Sequence, residues 1–284
     1  MLDSISALSN RCRYFFEGAY ARVTNCYDRR FYPDASTFYS ALNSGGFAPD
    51  AHIDILPRHR LIYVCVPKCA STTIKMTLSS LARRTIISSE QLHKRRYSGL
   101  YSPARTGMAR LYRLAVSPET LRFSFVRNPY SRLVSAWADK FQNKPLVWGD
   151  SFINSYLSRR YSIDAVLPEG SDCTLSFDQF VKFAAATANH RLDAHWHLQD
   201  DLLNMPGIKL DLIGKVESFD EDFARVLDHV GAGDRVRQAS HIYLNSSQHR
   251  PWRDYYSSRL ADIVYRAYER DFDRFEYARD IPTR

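Results

Sequence analysis

The chain has 284 residues, of which 45% are apolar and 25% charged, a composition that excludes disordered and fibrous classes and fits one large domain. Its net charge of +8 favours an anionic partner. The longest unbroken apolar run, Leu61 to Val66, falls far short of the roughly 20 residues of a membrane-spanning helix. Met1 to Arg11, with Asp3 early, has no apolar signal core. The expectation is a soluble protein that works where it is made.

Five cysteines (Cys12, Cys26, Cys65, Cys69 and Cys173) form no C-x-x-C pair, so zinc and disulfide frameworks have little support and small buried thiols are expected. Charge is unevenly spread. Arg83, Arg84, Lys94, Arg95, Arg96, Arg105, Arg110 and Arg113 face one acid, Glu90, and that segment carries nearly the whole excess. It suits nucleic acid, a phosphorylated or sulfated small molecule, or an acidic glycan; the plain alternative is a solvated loop.

No repeat appears, and residues 1–55 show no readable element. Leu61-Ile62-Tyr63-Val64-Cys65-Val66 is apolar on both alternations, as in a central strand of a parallel sheet. Pro67 to Ser71 makes a turn, and Ile74, Leu78, Leu81 and Ala82 recur on one helix face. Phe123 to Arg127 repeats the strand pattern; Asn128 is an N-cap and Pro129 opens a helix carrying Tyr130, Leu133, Val134, Trp137 and Phe141. Ser176 with Gln179 reads as a capping box before a helix bearing Phe180 and Phe183. Ile208 to Ile213 reads as a third strand. Ser218 with Glu221 reads as a second capping box, for a helix bearing Phe223, Val226, Leu227 and Val230. A last amphipathic helix runs from about Trp252 toward Phe272. Strands alternating with helices predict an α/β fold, with a central parallel sheet between two helical layers. Ligands then bind beyond the carboxyl ends of the strands.

The loop Val66-Pro67-Lys68-Cys69-Ala70-Ser71-Thr72-Thr73 joins a buried strand directly to a helix, which aims backbone N–H groups at one point. Lys68 adds a cation, and three hydroxyls follow. It lacks both glycines of G-x-x-x-x-G-K-[ST], and its lysine stands at the loop's start, which disfavours an ATP/Mg²⁺ enzyme. Pro67-Lys68-Cys69-Ala70-Ser71-Thr72 resembles the 5′-phosphosulfate loop of sulfotransferases that use 3′-phosphoadenosine 5′-phosphosulfate (PAPS). Many members have glycine at Ala70; alanine there is similar to the uronosyl 2-O-sulfotransferase variant. The resemblance implies that Pro67 to Thr73 hold the phosphosulfate, with Lys68 acting on the bridging oxygen.

Arg127-Asn128-Pro129-Tyr130-Ser131-Arg132-Leu133-Val134-Ser135-Ala136 resembles the family's 3′-phosphate motif, R-x-P-x-x-R-x-x-S-[AF]. Arg127 and Ser135 are implied to bind that phosphate, and the guanidinium fork suits it. Asp193-Ala194-His195-Trp196-His197-Leu198-Gln199 resembles the H-W-x-x-Q stretch of carbohydrate sulfotransferases acting on chondroitin, dermatan and related glycans. Ile213 to Phe219 resembles their I-G-K-x-E-x-[LF] stretch, and Trp252 to Phe275 their closing helix. An alcohol acceptor needs a base; His195 is the matched histidine, with His190 and His197 its rivals. By position, Asn245 to Arg250 would support the 3′-phosphate and Val216 would pass the adenine. Glu217 reads as a buried structural acid.

The resemblance covers roughly 61–278. It implies a P-loop-type three-layer α/β/α fold, one domain over 1–284 with residues 1–55 an N-terminal extension and 56–284 the PAPS-binding core. The implied activity transfers a sulfuryl group from PAPS to a hydroxyl of a carbohydrate or lipid-linked sugar, with no obligatory metal. An anionic acceptor would lie near 83–113. Animal members of the family are usually anchored in the Golgi membrane, and with no such anchor read in the sequence the resemblance implies a cytoplasmic enzyme, at most peripheral to a membrane, and of bacterial type. The alternatives are a P-loop kinase and a basic nucleic-acid-binding module.

Overall fold

A computed structural model describes all residues except 1–31, 45–46, 85, 87, 89–90, 93, 143–175, 190–192, 235, 238–249 and 282–284. Cys12, Cys26, Cys173, Glu90, His190 and residues 245–249 therefore lie outside the described residues. The chain divides into two compact units, one drawn from 1–126 and 201–245, the other from 127–200 and 246–284. In chain order the main elements are α1 (Pro33–Ser44), β1 (Ile53–Leu56), β2 (Leu61–Val64), α2 (Ser71–Leu81), α3 (Arg95–Ser98), α4 (Pro103–Thr106), α5 (Met108–Val116) and β3 (Leu121–Val126). They continue with α6 (Pro129–Lys140), α7 (Phe177–Thr187), β4 (Leu212–Lys215), α8 (Phe219–His229) and α9 (Ser258–Arg274).

The first unit is built on a sheet of order β1-β2-β3-β4. β2, β3 and β4 are parallel, and every residue of β2 is buried, as its two-sided apolar pattern requires. The expected parallel sheet gains an antiparallel edge: β1 pairs with β2, Ile53 opposite Val64 and Leu56 opposite Leu61. β1 also spans the 55/56 boundary expected between extension and core.

Asp54, within β1, is 2% exposed and meets Lys75 Nζ at 3.2 Å and Arg95 Nη1 at 2.7 Å. Arg95 Nη2 also donates to the carbonyls of Asp50 (2.5 Å) and Ile53 (3.0 Å). One arginine of the basic segment is thus structural, binding α3 to the edge strand. Burial pulls the Lys75 ammonium down, but Cys65 and Asp54 outweigh it and hold its pKa above the usual value. Removing one member of such a buried ionic group leaves an unpaired charge, so Asp54→Ala is expected to lower unfolding free energy by about 3–5 kcal/mol in urea denaturation.

The third strand departs from its predicted span of Ile208–Ile213 and forms at Leu212–Lys215. Ile208 is held in a turn, its N–H donating to Met205 O at 3.0 Å. Asp211 then accepts from the N–H (2.8 Å), Nε and Nη2 (both 2.7 Å) of Arg122. Ladder pairing starts only after that clamp, so Gly214 and Lys215 pair with Phe125 and Val126. At Gly214 a Cβ would stand 2.5 Å from the Phe125 ring, which packs against Phe219 and Phe223 of α8. Gly214→Ala is expected to cost about 1–3 kcal/mol through overpacking, read as a lower urea midpoint.

Two other helix-start readings are corrected. Ser218 does not cap α8; its Oγ donates to Asp222 Oδ2 at 2.7 Å, and the Lys215 N–H donates to the same oxygen at 2.8 Å. Asp222 therefore fixes the turn after β4, and Glu217, expected to be buried, is exposed in a 3-10 turn. The last helix begins at Ser258, because Trp252–Tyr255 form a 3-10 turn and Ser257 supplies the cap. The Ser176–Gln179 capping box and the Asn128 cap both form as predicted.

The second unit packs α6, α7 and α9 around a shared aromatic core that includes Tyr130, Phe141, Phe180, Trp196, Tyr268 and Phe272. No helix among the described residues is long and apolar enough to cross a membrane.

Candidate active site

β2 ends at Val64, and the chain turns through Pro67–Ala70 into α2. Lys68 and Ala70 adopt left-handed backbone (φ 68° and 55°), a conformation that favours glycine. Such strain persists where the surroundings over-determine it, commonly at binding loops. Cys69, fully buried, is the loop's anchor, its N–H reaching back to Val66 O at 3.4 Å. Ala70 occupies the N-cap position of α2, and a methyl cannot accept a hydrogen bond. The first-turn N–H groups of Ser71, Thr72 and Thr73 are thus left for an anion, reinforced by the helix dipole. Ser71 and Thr72 are half-buried beside them; the Thr73 side chain is buried. Cys65 and Cys69 are buried thiols, as expected, and burial pushes the Cys65 thiol up. Ala70→Gly relieves the left-handed alanine and is expected to raise unfolding free energy by about 1 kcal/mol, measured by urea denaturation.

The chain leaves β3 at Val126, and the second unit starts with the next residue, Arg127. Arg127 Nε donates to Ser131 Oγ at 2.9 Å, and that hydroxyl donates in turn to Asn128 O at 3.2 Å. The first turn of α6 therefore orients the guanidinium. Gln199 brackets the Arg127 backbone: Oε1 accepts from Arg127 N and Nε2 donates to Arg127 O, both at 2.9 Å. Asp271 of α9 holds Gln199, accepting from its N–H (2.9 Å), from its Nε2 (3.3 Å) and from the Asp200 N–H (2.8 Å). Burial outweighs those bonds and pushes the Asp271 carboxyl up. Ser135, one turn beyond Ser131, is 8% exposed.

The other arginine of the motif has a different role. Arg132 is 1% exposed, and it donates to His197 O (2.6 Å) and Ala194 O (2.7 Å). Tyr268 Oη donates to Trp196 O at 2.5 Å, and the Trp196 indole donates to Thr187 Oγ1 at 3.2 Å. The backbone around His195 is therefore tied on both sides, while His195 itself keeps 30% of its side chain exposed. His197, by contrast, is 1% exposed.

Asp193 orients His195. Its Oδ1 accepts from the His195 N–H at 2.8 Å and meets Nδ1 at 2.5 Å. With Nδ1–H given to a carboxylate, the lone pair lies on Nε2, the arrangement of a positioned general base. Burial pulls the Asp193 carboxyl upward, but the His195 hydrogen bonds and charge outweigh it and hold its pKa below 3.8. A depressed carboxyl supports the fold above its unfolded value and loses that contribution as pH falls through the folded one. Acid unfolding below pH 3.8 is expected to weaken in Asp193→Asn, followed by circular dichroism against pH.

Ser131, Arg132, Asp193 and Gln199 were not singled out as site residues from sequence. The i,i+4 spacing of Arg127 and Ser131 was the available signal for one of them.

Residues 51–278 match the model of the sulfotransferase family. Carbohydrate sulfotransferase 11 of Danio rerio is 29% identical over 247 residues, covering 82% of this chain and 68% of the relative. Carbohydrate sulfotransferase 8 of Homo sapiens is 30% identical over 208 residues, covering 68% of this chain and 47% of the relative. Carbohydrate sulfotransferase 12 of Xenopus laevis is 26% identical over 253 residues, covering 80% and 60%. No solved structure matches. These relatives are animal proteins, which gives the bacterial and cytoplasmic expectations no support. With the matched span holding the Lys68 loop, the Arg127 motif and the His195 loop, the chain belongs to the sulfotransferase family.

Proposed function

We propose that the chain transfers a sulfuryl group from PAPS to a hydroxyl of a carbohydrate acceptor. The observation that carries this reading is the Asp193–His195 pair, presented on a loop that Arg132 ties to the helix following Arg127. It joins an alcohol-activating base to the donor-binding motif within one unit. The donor's chemistry fits the residues present: an uncapped helix start with Lys68 for the phosphosulfate, and an oriented guanidinium at Arg127, with Ser135, for the 3′-phosphate.

In the reaction, His195 Nε2 takes the acceptor hydroxyl proton as the oxygen–sulfur bond forms. The bond from sulfur to the bridging oxygen breaks, and its electron pair stays on that oxygen, which becomes a phosphate oxygen of adenosine 3′,5′-bisphosphate. Lys68 and the N–H groups of Ser71–Thr73 stabilise that developing charge. The products are the bisphosphate and a sulfate ester, with the proton on His195. An acceptor that already carries negative charge suits the chain's charge of +8 and its basic 83–113 segment.

The test is incubation with ³⁵S-labelled PAPS and a panel of neutral and acidic oligosaccharides. Label in an oligosaccharide with wild-type protein, and its loss with Lys68→Ala, is the expected result. No transfer to any hydroxyl compound would count against the assignment.

A further inference from the structure

The basic segment forms a pocket of its own. Within the first unit, Arg58, Arg83, Arg84, Arg96, Arg105 and Arg110 line a cavity of about 510 Å³, in the size range of small-ligand sites. Among the described residues lining it there is no aspartate or glutamate. Arg95 also borders it, but its guanidinium is committed to Asp54.

Its position follows from the sheet. Leu56 pairs with Leu61, so the Pro57–His59 turn lies at the amino end of β2, away from the loop that follows Val64. Leu81 and Arg83 lie at the far end of α2, whose 11 residues run about 16 Å from its start at Ser71. The cavity is thus at the opposite end of the strands from the Lys68 loop, too far to hold the group that reacts there.

We propose that this cavity binds the sulfate or carboxylate groups of an acidic sugar chain, at units remote from the reacting hydroxyl. The identity of the chain as a sugar rests on the carbohydrate reading above. Guanidinium forks recognise such planar or tetrahedral anions bidentately. Nucleic acid is the poorer fit, because single-stranded binding needs open aromatic platforms. Among the described residues lining it, the one aromatic ring other than His59 is Tyr101, and Arg105 already covers it at 4.6 Å from the centroid. The walls are built for close approach: Gly99, at φ 72°, lets the Arg84 side chain pass where a Cβ would stand 3.0 Å from Arg84 Cγ. Burial, and then the adjoining Arg58 charge, hold the His59 imidazole in the lining below its usual pKa.

The experiment uses the full chain and a heparin-derived hexasaccharide in titration calorimetry, with sodium sulfate and an RNA hexamer as competing probes. The hexasaccharide is expected to bind at least tenfold more tightly than either probe. Arg58→Ala/Arg83→Ala/Arg110→Ala, changing three exposed side chains, is expected to weaken it at least tenfold. In NMR titration, bound hexasaccharide is expected to raise the His59 midpoint, because it supplies the missing negative charge. Equal hexasaccharide affinity in the triple variant, tighter RNA binding, or sodium sulfate binding as tightly would each overturn the site. Adenosine 3′,5′-bisphosphate, titrated in parallel, is expected to bind both proteins equally. Its failure to bind wild-type protein would strike the sulfotransferase reading separately.

Discussion

Lys68→Ala is expected to lower kcat by about 10²–10³-fold, with a much smaller change in the affinity for adenosine 3′,5′-bisphosphate. The magnitude is that of removing one preorganised donor from a developing oxyanion, about 2.7–4 kcal/mol of transition-state stabilisation. The asymmetry follows from when the charge appears: bridging oxygen gains negative charge only as the sulfur–oxygen bond stretches, so the ammonium matters most there. The left-handed backbone at Lys68 fixes where its side chain leaves the loop. Lys68→Arg keeps the charge but on a longer, planar group, and rescues little. Single-turnover kinetics with isothermal titration separate the two effects. A variant that loses donor binding in proportion to rate would make Lys68 a ground-state ligand only.

His195→Ala is expected to reduce kcat by about 10²–10⁴-fold, the usual range for a general base. Asp193→Asn should leave KM for the acceptor near its wild-type value and cost about 10²-fold in kcat, because the ring loses its fixed orientation. Arg132→Ala acts one step further back. It strips the carbonyls of Ala194 and His197 of their donors, so a stability loss of about 1–3 kcal/mol accompanies any loss of rate. His197→Gln, at a buried position, is expected to lower stability and leave kcat near its wild-type value. Were His197→Gln to abolish turnover while His195→Ala preserved it, the base would be misassigned.

The elements around both motifs were legible because their signals are local. An apolar run buried on both faces made β2, and hydroxyls at its end marked the start of α2. Asn128-Pro129 opened α6 where capping chemistry said it would. What the sequence did not reveal depends on partners far along the chain. β1 carries Asp54 in an otherwise apolar strand, and only Lys75 and Arg95, brought in by α2 and α3, make its burial tolerable. β4 starts late because Arg122, on another strand, claims Asp211. Arg132 stands within the 3′-phosphate motif, and its role shows only in the fold, where its guanidinium is spent on the loop of His195. Local sequence could not show that the basic segment opens at the end of the strands opposite the Lys68 loop.

The central claim is that the protein holds a nucleotide by its 3′-phosphate as well as its 5′-end. Thermal unfolding with saturating adenosine 3′,5′-bisphosphate or ADP tests it directly, since a ligand at 100 times its Kd stabilises by about 2.7 kcal/mol. The bisphosphate is expected to raise Tm well beyond ADP, and Arg127→Ala to erase the difference between them. Equal shifts from the two nucleotides in wild-type protein would contradict the account.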